Sequence, residues 1–417
     1  MLTVSRPKRI AVKVKKAAER MIRKQHPWVF DHSIVKQNKA GKAGDLAMIY
    51  DQQRNKLLAI GLYDPDSPIR IKLLHFKESA SIDESWFQRK IATAYEKRRP
   101  LFETDTNSYR LIHGENDGLP ALVADVYADV LVLKLYAAIW LPYLEALLPI
   151  LNIVSQTNCI VLRLSRNLQS SSPSWQDGQV LYGNLAKENV QFKEHGLLFS
   201  ANVIKGHKTG YFLDHRHNRK KIRMWAKGKS VLDVFAYAGG FSVHALAGGA
   251  KQVISLDVSA QALAMAKQNV QLNHLEAKHE TLAIDAFEGM ENLARENRKF
   301  NMVIVDPPAF AKRATEIDRA LKSYARLTRL AVPLVAPNGI LLMASCSSRV
   351  SATAFFESVL KQLQLTGRPF QELQRTFHDV DHPIGFPEGA YLKSIYFRLS
   401  QGGKAAILAG EKEKLSA

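Results

Sequence analysis

The sequence predicts an α/β protein. Its C-terminal half alternates strands and helices around a mostly parallel sheet, and is preceded by a small N-terminal β-barrel and a central α+β domain. Three observations predict this. The stretch Val231-Leu-Asp-Val-Phe-Ala-Tyr-Ala-Gly-Gly-Phe-Ser242 reads as a buried strand that turns sharply, through two glycines, into a helix. Four successive strand-like runs in this half end at or near an aspartate, with helical runs between them. The first 75 or so residues instead carry short alternating apolar runs separated by turn residues.

The length of 417 residues allows two or three domains, and 46% hydrophobic residues allow a substantial core. The net charge is +19, from 58 basic and 39 acidic residues, and points to a polyanionic partner, most simply nucleic acid. There are two cysteines, Cys159 and Cys346, so no disulfide framework is implied and a reducing, cytoplasmic setting is expected. The N-terminus is basic without an apolar core, so no secretory signal is evident. The run Val130 to Pro142 contains Lys134 and is too short and broken to span a membrane, so no membrane partner is expected.

In the first block, residues 1–75, Leu2 to Lys16 alternates Val and Ile with Lys and Arg. Gly44–Tyr50 and Lys56–Tyr63 read as strands around the polar turn Asp51–Asn55, and Arg70–His75 as another strand. In the second block, residues 76–190, Ser85 to Arg98 has a helical pattern that should end before Pro100. Asn116-Asp-Gly marks a turn between two strands. Val130–Tyr136 and Cys159–Leu164 are further strands, and Leu141–Ile153 is a helix. Gln169–Asp177 is Ser-rich and expected to be a mobile loop, and the tail, residues 401–417, is expected to be disordered.

The third block, residues 191–400, carries the chemistry. Its glycine turn lacks the spacing and Lys of a phosphate-binding loop, and lacks the first glycine of a dinucleotide fingerprint. What remains is Asp233 on the strand before Gly239-Gly240, then Asp257 at the end of Gln252–Asp257, 24 residues later. That distance suits a ribose-binding acid at the end of the second strand of a βαβ unit. Asp285 ends Glu280–Asp285, and Asp306 ends Phe300–Asp306 before Pro307-Pro308. Any one such aspartate is more often a helix N-cap than a ligand contact. Four in series, opened by a glycine turn, are harder to explain by capping.

The pattern resembles the class I, Rossmann-like methyltransferases that use S-adenosylmethionine. By that resemblance, Asp233, Phe235, Gly239 and Gly240 surround the methionine end, Asp257 takes the ribose hydroxyls, and Asp285 the adenine amino group. Asp306-Pro307-Pro308-Ala309-Phe310 matches the D-P-P-x-F motif that faces the target base, so Pro307, Pro308 and Phe310 are implied substrate contacts. A carboxylate suits ribose as a bidentate acceptor, and an acid-rich pocket suits a sulfonium cation. Gln25-His-Pro-Trp-Val-Phe30 and the Tyr63–Pro68 turn resemble the PUA domain, an RNA-binding module.

Three further segments resemble the ribosomal RNA large subunit methyltransferase I family. They are Gly114-Glu-Asn-Asp-Gly-Leu-Pro120, Thr209-Gly-Tyr-Phe-Leu-Asp-His-Arg-His-Asn-Arg219, and the stretch from Phe377 to Lys393. The likeness covers about residues 2–400. It makes Asp214 and Arg216 secondary cofactor-site candidates. Ala121 stands where that family usually has glycine. The implied activity is methylation of carbon 5 of a cytosine in 23S ribosomal RNA, with S-adenosylmethionine as cofactor, ribosomal RNA as partner and a homodimer as an allowed assembly.

Cys346 decides the chemistry within that family. Leu341–Ser347 reads as a buried strand ending in Ser-Cys-Ser, 40 residues after Asp306, on the sheet edge where ligands bind. Cys159 opens an apolar strand and reads as an inert core residue. The RNA 5-methylpyrimidine enzymes, which this strand end resembles, place a nucleophilic cysteine there. Ala309 stands where many of them carry a second cysteine, so the motif leaves the base that removes the carbon 5 proton unidentified. His378, Asp381 and His382 lack metal-ligand spacing, and no metal is expected. Two other readings stay open: an RNA base N-methyltransferase on the same fold, and a non-catalytic RNA-binding assembly factor.

Overall fold

The computed structural model describes residues 7–171 and 174–401. The expected disorder of the tail beyond residue 401 therefore lies outside the described residues, as do residues 172 and 173 of the Ser-rich loop. The end of that loop is anchored: Asp177 accepts hydrogen bonds from Arg163 Nε at 3.1 Å and from Leu164 N at 2.7 Å.

The chain divides into two compact units. Among the described residues, one comprises residues 7–171, 174–196, 201–213 and 380–389, and the other residues 197–200, 214–379 and 390–401. The first two blocks of the sequence thus share one unit. The reason is a common core. Leu62 and Leu74, from strands of the N-terminal sheet, are buried in the same cluster as Trp86, Phe87, Trp140 and Leu147.

The first unit is built on two larger sheets among the described residues. The N-terminal one is six-stranded and mixed, in the order Trp28–Val29, Ile71–Phe76, Leu57–Tyr63, Leu46–Tyr50, Arg9–Val14, Ile34–Gln37. The other has five strands, in the order Val180–Gly183, Cys159–Leu164, Val130–Leu135, Leu122–Tyr127, Ser108–His113. The helix Glu84–Phe102 is capped by Asp83, whose side chain accepts from Trp86 N. It runs through Pro100 instead of stopping before it. Pro100 is exposed, and the hydrogen bond it removes and the carbonyl its ring crowds belong to Glu96, also on the exposed face, so the helix can carry it near its end. The stretch Ala138–Ser155 is long and apolar enough to cross a membrane by length and composition. Its Trp140, Leu144, Leu147 and Leu151 lie in the core of this unit.

A buried ionic cluster ties the Gly114–Pro120 turn to the segment 380–389. Arg98 is fully buried and forks onto Asp117, at 3.0 and 2.5 Å, while also donating to the carbonyls of Ala94, Arg110 and Asp381. Asp381 accepts from Arg110 N at 3.0 Å and bonds the His382 ring at 2.8 Å. These hydrogen bonds engage Asp381 and His382, two of the three groups near residue 380. Ala121 has φ +59°, which costs an L-residue roughly 1–2 kcal/mol and explains why glycine suits this position.

The second unit is built on a seven-stranded sheet in the order His279–Ala283, Gln252–Asp257, Ser230–Val234, Phe300–Val305, Val335–Ser345, Lys393–Leu399, Phe370–Thr376. The first five strands are parallel; Lys393–Leu399 runs antiparallel to both of its neighbours, so Phe370–Thr376 at the edge points the same way as the first five. Ser230–Val234 is buried at every position, as a strand covered on both faces must be. Helices alternate with the parallel strands, each starting beyond a strand's carboxyl end.

Asp117→Ala should destabilise the protein by about 3–5 kcal/mol, because it strands a buried guanidinium. Chemical denaturation checks this. A loss under about 1 kcal/mol would mean that Arg98 finds water or another partner.

Candidate active site

The loop from Phe235 to Gly239 is the most strained stretch at the carboxyl edge of the second unit's sheet. Phe235 (φ +64°), Tyr237 (φ +48°) and Gly239 (φ +72°) all take the left-handed conformation. Two of the three carry a Cβ, so the loop holds strain of the kind that concentrates at ligand sites. Gly239 also approaches the next helix closely. A Cβ there would lie 2.8 Å from Cβ of Ala266. Gly240 then starts the helix Gly240–Ala247.

Asp233 lies beneath this loop, 1% exposed. Its Oδ2 accepts from Ser242 N at 3.1 Å and Ser242 Oγ at 2.7 Å. Its Oδ1 is buried with no hydrogen-bond partner among the described residues. Burial pushes the Asp233 carboxyl up to about 7; the Ser242 hydrogen bonds oppose this, and the negative charges of Asp306 and Asp257 add to it. Short contacts continue from Ser242 Oγ to Ser255 Oγ at 2.6 Å and on to His279 Nε2 at 2.8 Å. Asp233 is therefore linked by hydrogen bonds to the outermost parallel strand.

Asp257 accepts from Tyr237 N at 2.9 Å through Oδ2 and from Ser259 N at 2.9 Å through Oδ1. It fixes the left-handed Tyr237 and opens the next helix. Asp285 is exposed, and its Oδ1 caps the helix Ala286–Arg295 through Phe287 N and Glu288 N. Its capping role, one of the two sequence readings, is real, and Oδ2 is left outside the cap. Pro307 is buried, Pro308 is exposed, and Phe310 packs against Tyr324 with centroids 5.2 Å apart.

Three side chains converge past the end of the strand Phe300–Val305. Asp306 Oδ1 lies 3.2 Å from His215 Nε2 and 3.8 Å from Cys346 Sγ, and His215 Nε2 lies 3.7 Å from the same sulfur. The three donor atoms fall within 4.8 Å of one another. The serines beside Cys346 point inward and hold its turn. Ser345 Oγ meets Tyr324 Oη at 2.8 Å, and Ser347 Oγ donates to Ala311 O at 3.2 Å.

Lys393, 2% exposed, sits behind the same turn. Its ammonium donates to the carbonyls of Ser347, Val350 and Tyr391. Burial pulls Lys393 down to about 8, against the upward pull of Cys346. It thus supplies, below about pH 8, a positive charge next to the turn that carries the thiol.

Sequence reasoning missed His215 and Lys393. His215 occupies a position between the two named candidates Asp214 and Arg216. Asp214 accepts from Tyr391 Oη at 2.9 Å, and Arg216, fully buried, pairs with Asp379 at 3.5 Å. His378 Nε2 accepts from Tyr391 N and Leu392 N. Burial pushes the His215 imidazole down, but the Asp306 carboxylate, helped by Asp214 and opposed by Arg219, more than offsets this and raises it. The signal available in the sequence was only the histidine's place in the Thr209–Arg219 motif.

Comparison with known proteins places this architecture. The S-adenosylmethionine-dependent methyltransferase family matches residues 109–392, and a PUA-like domain family matches residues 12–76. A ribosomal RNA large subunit methyltransferase of Deinococcus radiodurans is 42% identical over 94% of this chain and 98% of its own length. Ribosomal RNA large subunit methyltransferase I of Pseudoalteromonas atlantica is 35% identical over 90% of this chain and 96% of its own. That of Escherichia coli K12 is 34% identical over 92% and 98%. A crystal structure of a methyltransferase-type chain complexed with SAH covers 94% of this chain and 100% of its own, with a TM-score of 0.80 at 21% identity, and shows the shared fold.

The two cysteines differ in accessibility: Cys159 is 1% exposed, and burial pushes its thiol up, whereas Cys346 is partly exposed. Iodoacetamide at neutral pH should therefore label the folded protein at Cys346 alone. Peptide mass mapping that finds Cys159 modified at a comparable rate would contradict this accessibility.

Proposed function

This chain belongs to the S-adenosylmethionine-dependent ribosomal RNA large subunit methyltransferase family, and from that premise we propose that it methylates carbon 5 of a cytosine in 23S ribosomal RNA through the thiolate of Cys346. The observation that carries the proposal is the position of Cys346 Sγ, 3.8 Å from Asp306 Oδ1 at the start of the D-P-P-A-F motif. Carbon 5 of a pyrimidine is a poor nucleophile. A thiolate that adds at carbon 6 makes carbon 5 enamine-like, able to take a methyl group; loss of the carbon 5 proton then expels the thiolate. Asp306 can hydrogen-bond the ring nitrogen or the amino group of the base. Pro307, Pro308 and Phe310 would shape the wall beside it.

The pocket residues fit the cofactor. The buried, unpartnered Oδ1 of Asp233 offers an acceptor to a cationic group, and the strained loop from Phe235 to Gly240 places backbone around it. Asp257 keeps lone pairs beyond its two backbone contacts for a ribose diol, and Asp285 Oδ2 is open for an adenine amino group. S-adenosylmethionine bound there supplies an electrophilic methyl group on sulfonium. Asp214 and Arg216 act in this reading as buried supports around His215 and the segment that ends at Tyr391.

The RNA partner is supported by the first unit's surface. Lys15, Lys16, Arg20, Arg23, Lys24, Lys36 and Lys39 are exposed on and around the helix Lys16–Arg23. Phe30, itself exposed, stacks on His32 with centroids 5.7 Å apart, a surface on which an unpaired base can stack.

Cys346→Ala should abolish methyl transfer and leave S-adenosylmethionine binding nearly intact, since the thiol acts on the base. RNA containing 5-fluorocytidine should trap the wild type covalently, because fluorine does not leave as a proton does. Normal methylation by Cys346→Ala would sink the thiolate mechanism and favour transfer to an exocyclic nitrogen.

The pH dependence of cofactor binding tests Asp233. A cationic ligand favours the ionised carboxyl, so binding lowers a value that stands at about 7 in the free protein. Below pH 7 binding should then release a proton, and affinity should rise with pH by up to about tenfold per unit before levelling off. Calorimetry in buffers of different ionisation enthalpy, between pH 5.5 and about 7.5, stays below the ligand's own α-amino range of about 7.7–8.0. Binding without proton release across that window would remove Asp233 from contact with the cation.

A further inference from the structure

We propose that His215 is the base that takes the Cys346 thiol proton and holds it while the cysteine is bonded to the pyrimidine, and that Asn218 is the positioning residue that fixes the imidazole tautomer with its bare nitrogen towards the thiol. The inference rests on the thiolate reading above and adds to it the fate of the thiol proton.

The geometry begins with Nε2 of His215. It faces Cys346 Sγ at 3.7 Å and Asp306 Oδ1 at 3.2 Å, so a proton that leaves sulfur meets a nitrogen that a carboxylate is already drawing it towards. The S–H bond breaks with its electron pair left on sulfur, and the proton binds the Nε2 lone pair. The products are a thiolate and an imidazolium paired with Asp306. When the sulfur–carbon 6 bond later breaks, its electron pair returns to sulfur and the proton can return with it. No outside reactant is required.

A buried histidine can do this only if its other nitrogen is satisfied in both states. Nδ1 of His215 meets the Asn218 amide nitrogen at 3.0 Å. The remaining Asn218 partners are all hydroxyls: Thr376 Oγ1 at 2.7 Å, Tyr396 Oη at 2.7 Å and Ser394 Oγ at 3.3 Å. A hydroxyl serves equally as donor or acceptor. Nε2 can accept the thiol proton only in the tautomer whose Nδ1 carries one, and Nδ1 keeps that proton in the imidazolium, so the amide serves the transfer with its oxygen turned to Nδ1, an orientation that leaves none of the three hydroxyls unpaired. Asn218 and His215 are both buried, 0% and 3% exposed, where an unmatched polar group would cost dearly.

The charged and titratable groups around the pair favour the transfer. Asp306 and Asp214 act on His215 in one direction and Arg219 in the other. Lys393 and Tyr324 are the neighbours of Cys346 from the strand Lys393–Leu399 and the helix Ile317–Ala331. Lys393 is a cation that favours the thiolate. Tyr324, whose hydroxyl is engaged with Ser345, stays neutral well above physiological pH.

The test is the pH dependence of Cys346 alkylation by iodoacetamide in the full-length protein without RNA, in a Cys159→Ala background. Wild-type Cys346 should react with a midpoint at least one unit below the ordinary cysteine value of about 8.5. His215→Ala should raise that midpoint by a unit or more, about a tenfold loss of alkylation rate at pH 7, and free imidazole should restore part of the rate. His215→Gln, which fills the site but accepts no proton at neutral pH, should behave like His215→Ala without imidazole. A wild-type midpoint near 8.5 overturns the inference whatever the variants do, as does an unmoved midpoint in a His215→Ala protein that still binds S-adenosylmethionine. If His215→Ala does not fold, the wild-type midpoint and His215→Gln decide. The nucleophile reading fails separately, through methylation by Cys346→Ala.

Discussion

A parallel sheet covered on both faces leaves its polar chemistry nowhere to sit but the carboxyl edge. The strands Ser230–Val234, Phe300–Val305 and the end of Val335–Ser345 are buried almost throughout, so a polar side chain along them must find a partner inside. At the edge the chain turns, the backbone opens, and carboxylates can be presented. Asp233, Asp257, Asp285, Asp306 and Cys346 all sit at this edge because the sheet admits them only there. The site is in this sense a consequence of strand direction: reversing one strand would remove its acid from the group.

Crowding carboxylates at one edge has a cost, and the structure distributes it. Asp285 escapes by being exposed and capping a helix. Asp257 is stabilised by two backbone N–H groups. Asp233 has neither remedy in full, and burial together with its acidic neighbours raises it towards neutrality. Asp306 has an imidazole beside it. The Cys346 turn has Lys393 behind it, held by three carbonyls that exclude a carboxylate partner. A pocket of this kind is poor at holding phosphate and good at holding a cation, which agrees with the sulfonium cofactor of the family.

The acids and the cysteine are legible in the sequence because each is tied to a local event, a strand ending or a helix beginning. His215, Asn218 and Lys393 are not, because their meaning lies in convergence. Asn218 is satisfied by residues more than 150 positions away, on two antiparallel strands that close the sheet. No local pattern announces this. The two-unit organisation escapes for the same reason. Leu62 and Leu74 read as strand residues of a small first domain, yet they lie in a core shared with Trp86 and Trp140. The stretch 380–389 reads as part of the last block, yet Asp381 is held by Arg98 and Arg110 in the first unit. Pro100 misleads in the opposite direction: a strong local stop signal loses on the exposed face near a helix end.

The grouping around Cys346 also bears on which atom of a base is modified. An exocyclic amine carries its own lone pair; its methylation needs placement and an acceptor for one proton, and Asp306 alone could serve. Carbon 5 needs a nucleophile that attacks, stays bonded and departs again. That cycle demands a thiol with a place to put its proton, a nearby cation to favour its charged form, and a rigid turn to hold it. On the proposed reading, His215, Lys393 and the two inward-facing serines would supply these three requirements, and none of them is needed for an amine. Beside an amine-directed Asp306, a partly exposed thiol in contact with an imidazole would be a liability to oxidation and alkylation. In the carbon-directed site we propose, the same thiol would be the working part.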